Sequence, residues 1–251
     1  MTVVQFQRTR MPLRPAVSSL AIRMAALILF LPLSSVAVET REECITDREG
    51  NGWVIIGASY AKDWPIESIA GEKTINKGIG GNQSFEMEAR FDSDVLELQP
   101  RAVLIWGFIN DVFRSTPEEM ERAKSRIKGS YRNMIEKSNG EGIYVVVATE
   151  VTLREPGGLK NWIAGVLGSL TGKESYQAGI NSHVFEINSW LREYAQSSGV
   201  PILDFQHVLA GSDGWRRQEF AAPDGSHLSI AAYDELSRYT KEQVQSFCET
   251  E

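Results

Sequence analysis

Two short segments of this 251-residue sequence contain the residue types of a serine nucleophile and its base. Ser59 follows the apolar run Trp53-Val54-Ile55-Ile56, in a turn where a strand would lead into a helix. Asp224 stands three residues before His227 in a glycine-containing loop. An aspartate at this spacing can accept the imidazole Nδ1–H, which leaves Nε2 to take a proton from a serine hydroxyl. The alternative for Ser59 is a cap on the following helix.

A second aspartate–histidine pair, Asp204 and His207, has the same spacing and also follows a strand. Its apolar surroundings favour a structural role, so His227 is the predicted base. His183 lies within a helical pattern and is interpreted as structural or solvated. Because the three histidines form no metal-binding pair, we expect no catalytic zinc site and no other metal site.

Alternating apolar runs and amphipathic stretches indicate five strands separated by helices, and therefore a parallel sheet covered on both faces. The predicted strands begin at residues 53, 73, 102, 143 and 200. The predicted helices span residues 61–70, about 84–98, 117–139, 181–198 and 229–247. Ser59, the glycines Gly80-Gly81 and Asn110 each follow a strand, so all three are expected at the same edge of the sheet.

The glycine-rich turn from Asn76 to Ser84 lets the backbone approach a ligand closely. It lacks the Gly-Lys-Ser/Thr ending of a phosphate loop and does not match the dinucleotide fingerprint. The sequence therefore predicts no nucleotide cofactor at this turn, and no other cofactor is expected.

Residues 150–180 are interpreted as an insertion. Between Leu159 and Leu170, apolar residues recur at the spacing of one helix face. This amphipathic helix is either a lid that contacts an acyl chain or a helix packed on the core.

The first 37 residues predict a secretory signal peptide, which leaves residues 38–251 as one domain. They contain four arginines and no acidic residue, followed by a short apolar run and a Ser35-Val36-Ala37 cleavage pattern. An uncleaved membrane anchor is the alternative. Cleavage would change the formal net charge from −7 to −11. Such an acidic protein is unsuited to nucleic acid and to anionic membranes, so we expect a soluble periplasmic or secreted protein without stable membrane insertion.

The two cysteines, Cys44 and Cys248, lie near the ends of this predicted mature chain. In an oxidising compartment they are candidates for one disulfide that restrains both termini. Two separate thiols are the alternative.

Four segments are similar to the four sequence blocks of a known family and occur in the family's order. They are Gly57-Ala58-Ser59, Asn76 to Ser84, Gly107 to Asp111 and Asp224 to His227. With these segments in this order, the chain resembles the SGNH (GDSL-like) hydrolase family over essentially all of residues 38–251. The resemblance implies a three-layer αβα, flavodoxin-like fold. It also implies a Ser59–His227–Asp224 triad and an oxyanion hole formed by Ser59, Gly81 and Asn110.

Two positions depart from the family pattern. Ala58 replaces the usual aspartate before the serine, and an extra residue stands before Asn110. Neither departure removes a proton-transfer group. The insertion makes the assignment of Asn110 depend on how the third strand ends.

The sequence therefore predicts an exported serine esterase or deacylase that hydrolyses carboxylic esters or thioesters through an acyl-enzyme. The family implies small-molecule, lipid or glycan acyl esters as substrates. Two alternatives remain open: an O-acyltransferase acting on an exported polysaccharide, and a non-catalytic binding protein on the same fold. The sequence does not choose an acyl-chain length, the substrate-binding residues or an oligomeric state.

Overall fold

The computed structural model describes residues 49–154 and 175–247. Three sequence predictions lie outside these residues: the signal peptide at 1–37, the Cys44–Cys248 disulfide and the amphipathic helix of the 150–180 insertion. All three stay predictions, as does the choice between a lid and a core helix.

Six strands form a single sheet in the order β2-β3-β1-β4-β5-β6 across the described residues. The strands are β1 (Trp53–Gly57), β2 (Ser68–Ile69), β3 (Glu72–Gly78), β4 (Ala102–Trp106), β5 (Tyr144–Ala148) and β6 (Ile202–Leu203). All neighbours pair in parallel except β2, which is antiparallel to β3. The five parallel strands have the flavodoxin-like order. The predicted fold class is confirmed, with one additional edge strand.

Helices cover both faces of this sheet. They are α1 (Ser59–Lys62), α2 (Ser84–Ala89), α3 (Phe91–Asp94), α4 (Ile109–Phe113), α5 (Met120–Gly140), α6 (Tyr176–Ser198), α7 (Phe205–Leu209) and α8 (Ile230–Ser246). Alternate strand residues enter opposite cores because successive side chains point to opposite faces of the sheet. Val54 and Ile56 pack with α2, α5 and α6, whereas Trp53 and Ile55 pack with α1, α7 and α8.

The helix predicted from residue 61 to 70 is wrong beyond Lys62. Pro65 disfavours a helical conformation at the residue before it, and the chain instead forms β2 at Ser68–Ile69, which pairs with β3. The core position of Trp64 is unaffected, because this residue is buried in the aromatic cluster beside β4.

The helix predicted from residue 84 to about 98 is also broken, into α2, α3 and a 3₁₀ turn at Leu96–Leu98. The break falls at Arg90, whose backbone leaves the helical geometry. Its guanidinium donates to the carbonyl oxygens of Gly57 and Lys77 and forms an ion pair with Asp94. The break therefore places a cation between the end of β1 and the glycine-rich turn.

Helix α6 begins at Tyr176 rather than at the predicted residue 181, so the end of the proposed insertion belongs to this helix. The Ser175 hydroxyl caps it by accepting the N–H of Ala178 at 3.2 Å. Within the described ranges, no helix combines the length and apolar character needed to cross a bilayer.

Candidate active site

Ser59 is the first residue of α1, directly after the carboxyl end of β1. The turn needs Gly57, because a Cβ there would lie 2.3 Å from the carbonyl oxygen of Trp106 and 2.4 Å from the Cβ of Ala61. Ser59 is half-buried, and its hydroxyl makes no hydrogen bond to any described residue. As the first helical residue, it also presents a backbone N–H that has no partner within the helix.

The structure places Asp224 and His227 in direct contact. The Asp224 Oδ2 atom lies 2.6 Å from His227 Nδ1, and Oδ1 accepts the backbone N–H groups of Ser226 and His227 at 2.9 Å each. Both side chains are about half exposed. Partial burial acts to raise the pKa of Asp224, but the hydrogen bonds from the His227 ring and from the two backbone N–H groups outweigh it and hold this pKa well below its usual range.

The loop that contains this pair is attached to α1 next to Ser59. The hydroxyl of Tyr60 donates to the Ser226 carbonyl oxygen at 2.5 Å, and the Tyr60 and His227 rings meet edge-to-face with centroids 6.4 Å apart. Burial raises the pKa of Tyr60 to about 12, so this hydroxyl remains a donor at neutral pH. Because Tyr60 follows Ser59 directly, the structure brings the predicted base to the helix of the predicted nucleophile.

Arg216 forms hydrogen bonds with the backbone of the same loop. Its side chain is fully buried and donates to the Gly225 carbonyl oxygen at 2.5 Å and to that of Ser226 at 3.3 Å. Its backbone N–H donates to the Thr152 hydroxyl at 2.8 Å. Arg216 therefore holds the loop through its carbonyl oxygens, while Asp224 Oδ1 holds it through two N–H groups.

The predicted oxyanion residues Gly81 and Asn110 lie on two adjacent turns. The Asn110 side-chain amide donates to the Asn82 carbonyl oxygen at 2.9 Å, which joins the first turn of α4 to the glycine-rich turn. Gly81 has a φ of +81°, a conformation that favours glycine. Arg90 also donates to the Asn82 side chain at 2.8 Å and to the Gly57 carbonyl oxygen at 3.1 Å, so it ties this turn to the end of β1.

A buried carboxylate, Glu150, shapes the turn before Asn110. One of its oxygens accepts the N–H groups of Phe108 and Ile109 at 2.8 and 3.1 Å. The backbone of Glu150 is in turn held by the Asn188 amide through two hydrogen bonds of 2.9 and 2.8 Å. Burial raises the pKa of Glu150, although the backbone N–H donors and the charge of Arg216 oppose the shift. Glu150 thus organises the turn that contains the extra residue.

A second buried acid links the two turns that contain the predicted oxyanion residues. Asp111 accepts the backbone N–H of Ser84 at 2.7 Å and the Ser84 hydroxyl at 2.9 Å. Burial raises the pKa of Asp111, and the hydrogen bonds from Ser84 and the nearby Arg126 oppose this shift. The start of α2 is therefore attached to the start of α4.

The two positions predicted to depart from the family pattern lie in adjacent turns of the structure. Ala58 is buried against Gly107, where a Cβ would lie 2.9 Å from the Ala58 nitrogen and 3.1 Å from its Cβ. There is little room for a side chain on Gly107. The extra residue before Asn110 is accommodated in the turn held by Glu150, and Asn110 still contacts the glycine-rich turn.

The second aspartate–histidine pair has different hydrogen-bond partners from the first. Asp204 binds Arg192 and caps the helix containing His207 through that histidine's backbone N–H, and the His207 ring makes no hydrogen bond to any described residue. The aromatic residues Trp64, Trp106 and Phe108, which lie near strand ends, are buried in the core. In the part of the chain that the structure describes, no cluster of three histidine, cysteine or acidic residues is placed to hold a metal ion.

Sequence reasoning missed Tyr60, Glu150 and Arg216. The structural role of Glu150 could have been predicted, since an acidic residue directly after a buried apolar strand needs hydrogen-bond partners. The role of Arg216 could not have been predicted, because the atoms that it contacts are backbone carbonyl oxygens of a separate loop.

The family model of the GDSL-like lipase/acylhydrolase family matches residues 45–235. The chain belongs to this family. The GDSL-like lipase of Bacteroides thetaiotaomicron VPI-5482 is similar in structure, with a TM-score of 0.58 and 18% sequence identity, covering 77% of this chain and 87% of the other. An acetyl-xylooligosaccharide esterase from Geobacillus Stearmophilus has a TM-score of 0.57 and 16% identity, covering 78% of this chain and 95% of the other. These two likenesses confirm the fold.

In sequence, the chain is similar to the uncharacterized lipoprotein YqeF of Bacillus subtilis (strain 168). The two are 24% identical over an alignment of 202 residues that covers 73% of this chain and 80% of the relative. The GDSL-like hydrolase resemblance read from the four sequence blocks is therefore confirmed at the level of the family, and the protein is an esterase or acylhydrolase that acts on ester bonds.

Proposed function

We propose that this GDSL-like hydrolase uses Ser59, His227 and Asp224 as a catalytic triad to hydrolyse carboxylic esters or thioesters. The observation that supports this best is the 2.6 Å contact between Asp224 and His227 in a loop bonded to Tyr60, the neighbour of Ser59. The contact holds the imidazole in the tautomer that leaves Nε2 free to accept a proton.

In the proposed reaction, Ser59 Oγ attacks the acyl carbon while its proton passes to His227 Nε2. The tetrahedral intermediate collapses as His227 returns that proton to the leaving alcohol or thiol, which leaves an acyl group on Ser59. Water then attacks the acyl-enzyme with His227 again as base, and the carboxylic acid is released. Asp224 orients the ring and stabilises its protonated form throughout.

The backbone N–H groups of Ser59 and Gly81 and the Asn110 side-chain amide are the proposed oxyanion donors. Asn110 Nδ2 carries two hydrogens, of which Asn82 accepts one, so the other is available to the substrate. Loss of one such donor costs about 2.7–4 kcal/mol of transition-state stabilisation in enzymes of this type.

Export to the periplasm or outside the cell is part of the proposal. It is supported by the basic and apolar pattern of residues 1–37 and by the similarity to a relative named as a lipoprotein. The acyl ester is proposed to be a small molecule or part of a lipid or glycan, as the name of the similar acetyl-xylooligosaccharide esterase illustrates for a sugar ester.

The deciding experiment is labelling of the purified protein with a fluorophosphonate probe, combined with turnover of 4-nitrophenyl acetate. We expect labelling and turnover in the wild type and neither in Ser59→Ala. Ser93→Ala is the matched control, since Ser93 is exposed on α3, and it should behave as the wild type. A folded wild type that neither labels nor hydrolyses esters, or a Ser59→Ala variant that does both, would overturn the proposed triad.

A further inference from the structure

A cavity of about 190 Å³ lies where the start of α2, the end of α4 and the start of α5 meet. The polar residues lining it are Gln83, Arg114, Ser115, Glu119, Arg122 and Arg126. The chain as a whole contains 26 basic and 33 acidic residues, so three arginines against one glutamate reverse the charge balance of the protein locally. We call this cavity the arginine pocket.

The arginine pocket borders the proposed oxyanion hole. Arg114 follows Asn110 by one helical turn, and its N–H donates to the Asn110 carbonyl oxygen at 3.1 Å. A Cβ placed on Gly81 would lie 3.0 Å from one terminal nitrogen of Arg114. The guanidinium group therefore lies between the cavity and the glycine whose N–H is proposed to bind the oxyanion.

The positive charge of the pocket is only partly neutralised by neighbours. Arg122 lies on the exposed side of α5, and its side chain makes no hydrogen bond or ion pair with any residue in the described ranges. Arg114 lies 3.9 Å from the Glu86 carboxylate, which already accepts the backbone N–H of Gln83 at 2.8 Å. These two guanidinium groups thus retain donor capacity that an external anion can use.

The remaining charged groups around the pocket are engaged in the fold. Arg126 lies over the Phe85 ring at 4.5 Å and within 3.4 Å of the buried Asp111 carboxylate. Glu119 accepts the N–H of Thr116 at 3.2 Å, which gives its carboxylate a local structural partner. The geometry leaves Arg114 and Arg122 as the pair that would contact a ligand.

We propose that the arginine pocket binds an anionic group, a carboxylate or a phosphate, that is part of the acyl ester substrate. This inference rests on the proposed function, since it adds a charged substrate class to the same site. Guanidinium groups match both anions with two parallel hydrogen bonds. An anion bound there would position the ester next to Gly81 and Asn110.

Matched ester pairs test this proposal, with the charge placed on either side of the scissile bond. The acyl-side pair is mono-4-nitrophenyl glutarate and 4-nitrophenyl butyrate, and the alcohol-side pair is 4-acetoxybenzoate and 4-acetoxybenzamide. For one of the two pairs, we expect the wild type to favour the anionic ester by about tenfold in kcat/KM, mainly through a lower KM, because exposed charge-assisted contacts are individually modest. In Arg122→Gln this ratio should fall towards one.

The control is Arg238→Gln, which removes an exposed arginine on α8 that pairs with Glu235 and Glu242 instead of lining the pocket. It should keep the wild-type ratio, and added NaCl should lower the ratio in both proteins through screening. If the wild type hydrolyses both members of each pair with ratios near one, the pocket proposal is overturned and the proposed function stands.

Titration with phenyl phosphate and benzoate measures the pocket independently of turnover and separates the two anions. We expect saturable binding of at least one of them by the wild type, with a Kd of about 1 mM, and at least fivefold weaker binding by Arg122→Gln. If no ester is turned over, the proposed function fails, and this titration alone decides whether the arginine pocket binds an anion. Absence of saturable binding, or equal binding by the variant, would overturn the pocket.

Discussion

The protein contains two Asp-x-x-His segments, and the structure uses their carboxylates differently. Asp204 accepts two hydrogen bonds of 2.8 Å from Arg192, one from Thr149 and one from the backbone N–H of His207. Asp224 accepts two backbone N–H groups on one oxygen, and its other oxygen contacts the His227 ring. The spacing is the same in both, so competition for the carboxylate oxygens decides which histidine obtains an acidic partner.

An arginine accompanies each segment, and its target differs. Arg192 binds the carboxylate of Asp204 itself, whereas Arg216 binds the carbonyl oxygens of Gly225 and Ser226. Arg216 thereby orders the second loop without occupying Asp224 Oδ2, which contacts the imidazole. The comparison identifies Arg216 as a positioning residue in the proposed mechanism.

The largest expected difference in activity is between alanine variants of the two histidines. His227→Ala should lower kcat/KM for 4-nitrophenyl acetate by about 10⁴-fold or more, because it removes the general base of the triad. The measurement is steady-state hydrolysis, with circular dichroism to show that the variant is folded.

The matched control for this change is His207→Ala. His207 is exposed and its ring has no hydrogen-bond partner among the described residues, so kcat/KM should stay within about twofold of the wild type. A loss of activity in His207→Ala with retention in His227→Ala would transfer the role of base to the first segment.

The next contrast is between the aspartates. Asp224→Asn should lower kcat by about 10²- to 10⁴-fold, since the amide cannot stabilise the protonated imidazole or select its tautomer. Asp204→Asn should instead lower the free energy of unfolding, by about 1–3 kcal/mol, because it disrupts a charge-assisted bond pair with Arg192. Kinetics and urea unfolding of both variants separate the two effects.

The pH dependence of unfolding provides a control for Asp204. Burial acts to raise its pKa, but the hydrogen bonds and charge of Arg192 outweigh this and lower it. A carboxyl with a lowered folded-state pKa stabilises the protein above its unfolded pKa of about 3.9, and this contribution disappears as pH falls below that value. The stability gap between the wild type and Asp204→Asn should therefore narrow below about pH 4. A constant gap would contradict the assigned ion pair.

The smallest expected difference in activity is between lysine variants of the two arginines. Arg216→Lys should reduce kcat by about 10- to 100-fold with a small change in KM, because one ammonium cannot reproduce the planar fork on two carbonyl oxygens and the histidine shifts slightly. Arg192→Lys is the counterpart and should alter stability rather than kcat. Stopped assays at saturating ester measure kcat directly. Equal kcat losses in the two variants would show that Arg216 acts only through stability.

Most of the fold could be predicted because its elements depend on local patterns. The strand predicted to begin at residue 102 occupies Ala102–Trp106, and the long helix predicted from residue 117 occupies Met120–Gly140. Continuous apolar runs and the helical period are properties of neighbouring residues. One error occurred where a distant partner intervened, at Arg90, which binds the carbonyl oxygen of Gly57 and interrupts a helix. The helix predicted from residue 61 failed for a local reason, since Pro65 disfavours a helical conformation at the residue before it.

For the candidate site, the residue types and their order along the chain were readable from the sequence alone. It identified Ser59, the glycine-rich turn, Asn110 and the Asp224–His227 spacing, and the order of these blocks identified the family. Only the tertiary structure decided which aspartate is free for a histidine and which groups order the loops, namely Tyr60, Glu150 and Arg216. The physical reason is that hydrogen-bond partners are assigned by competition among groups far apart in the chain, such as Arg192 with Asp204 and Tyr60 with Ser226.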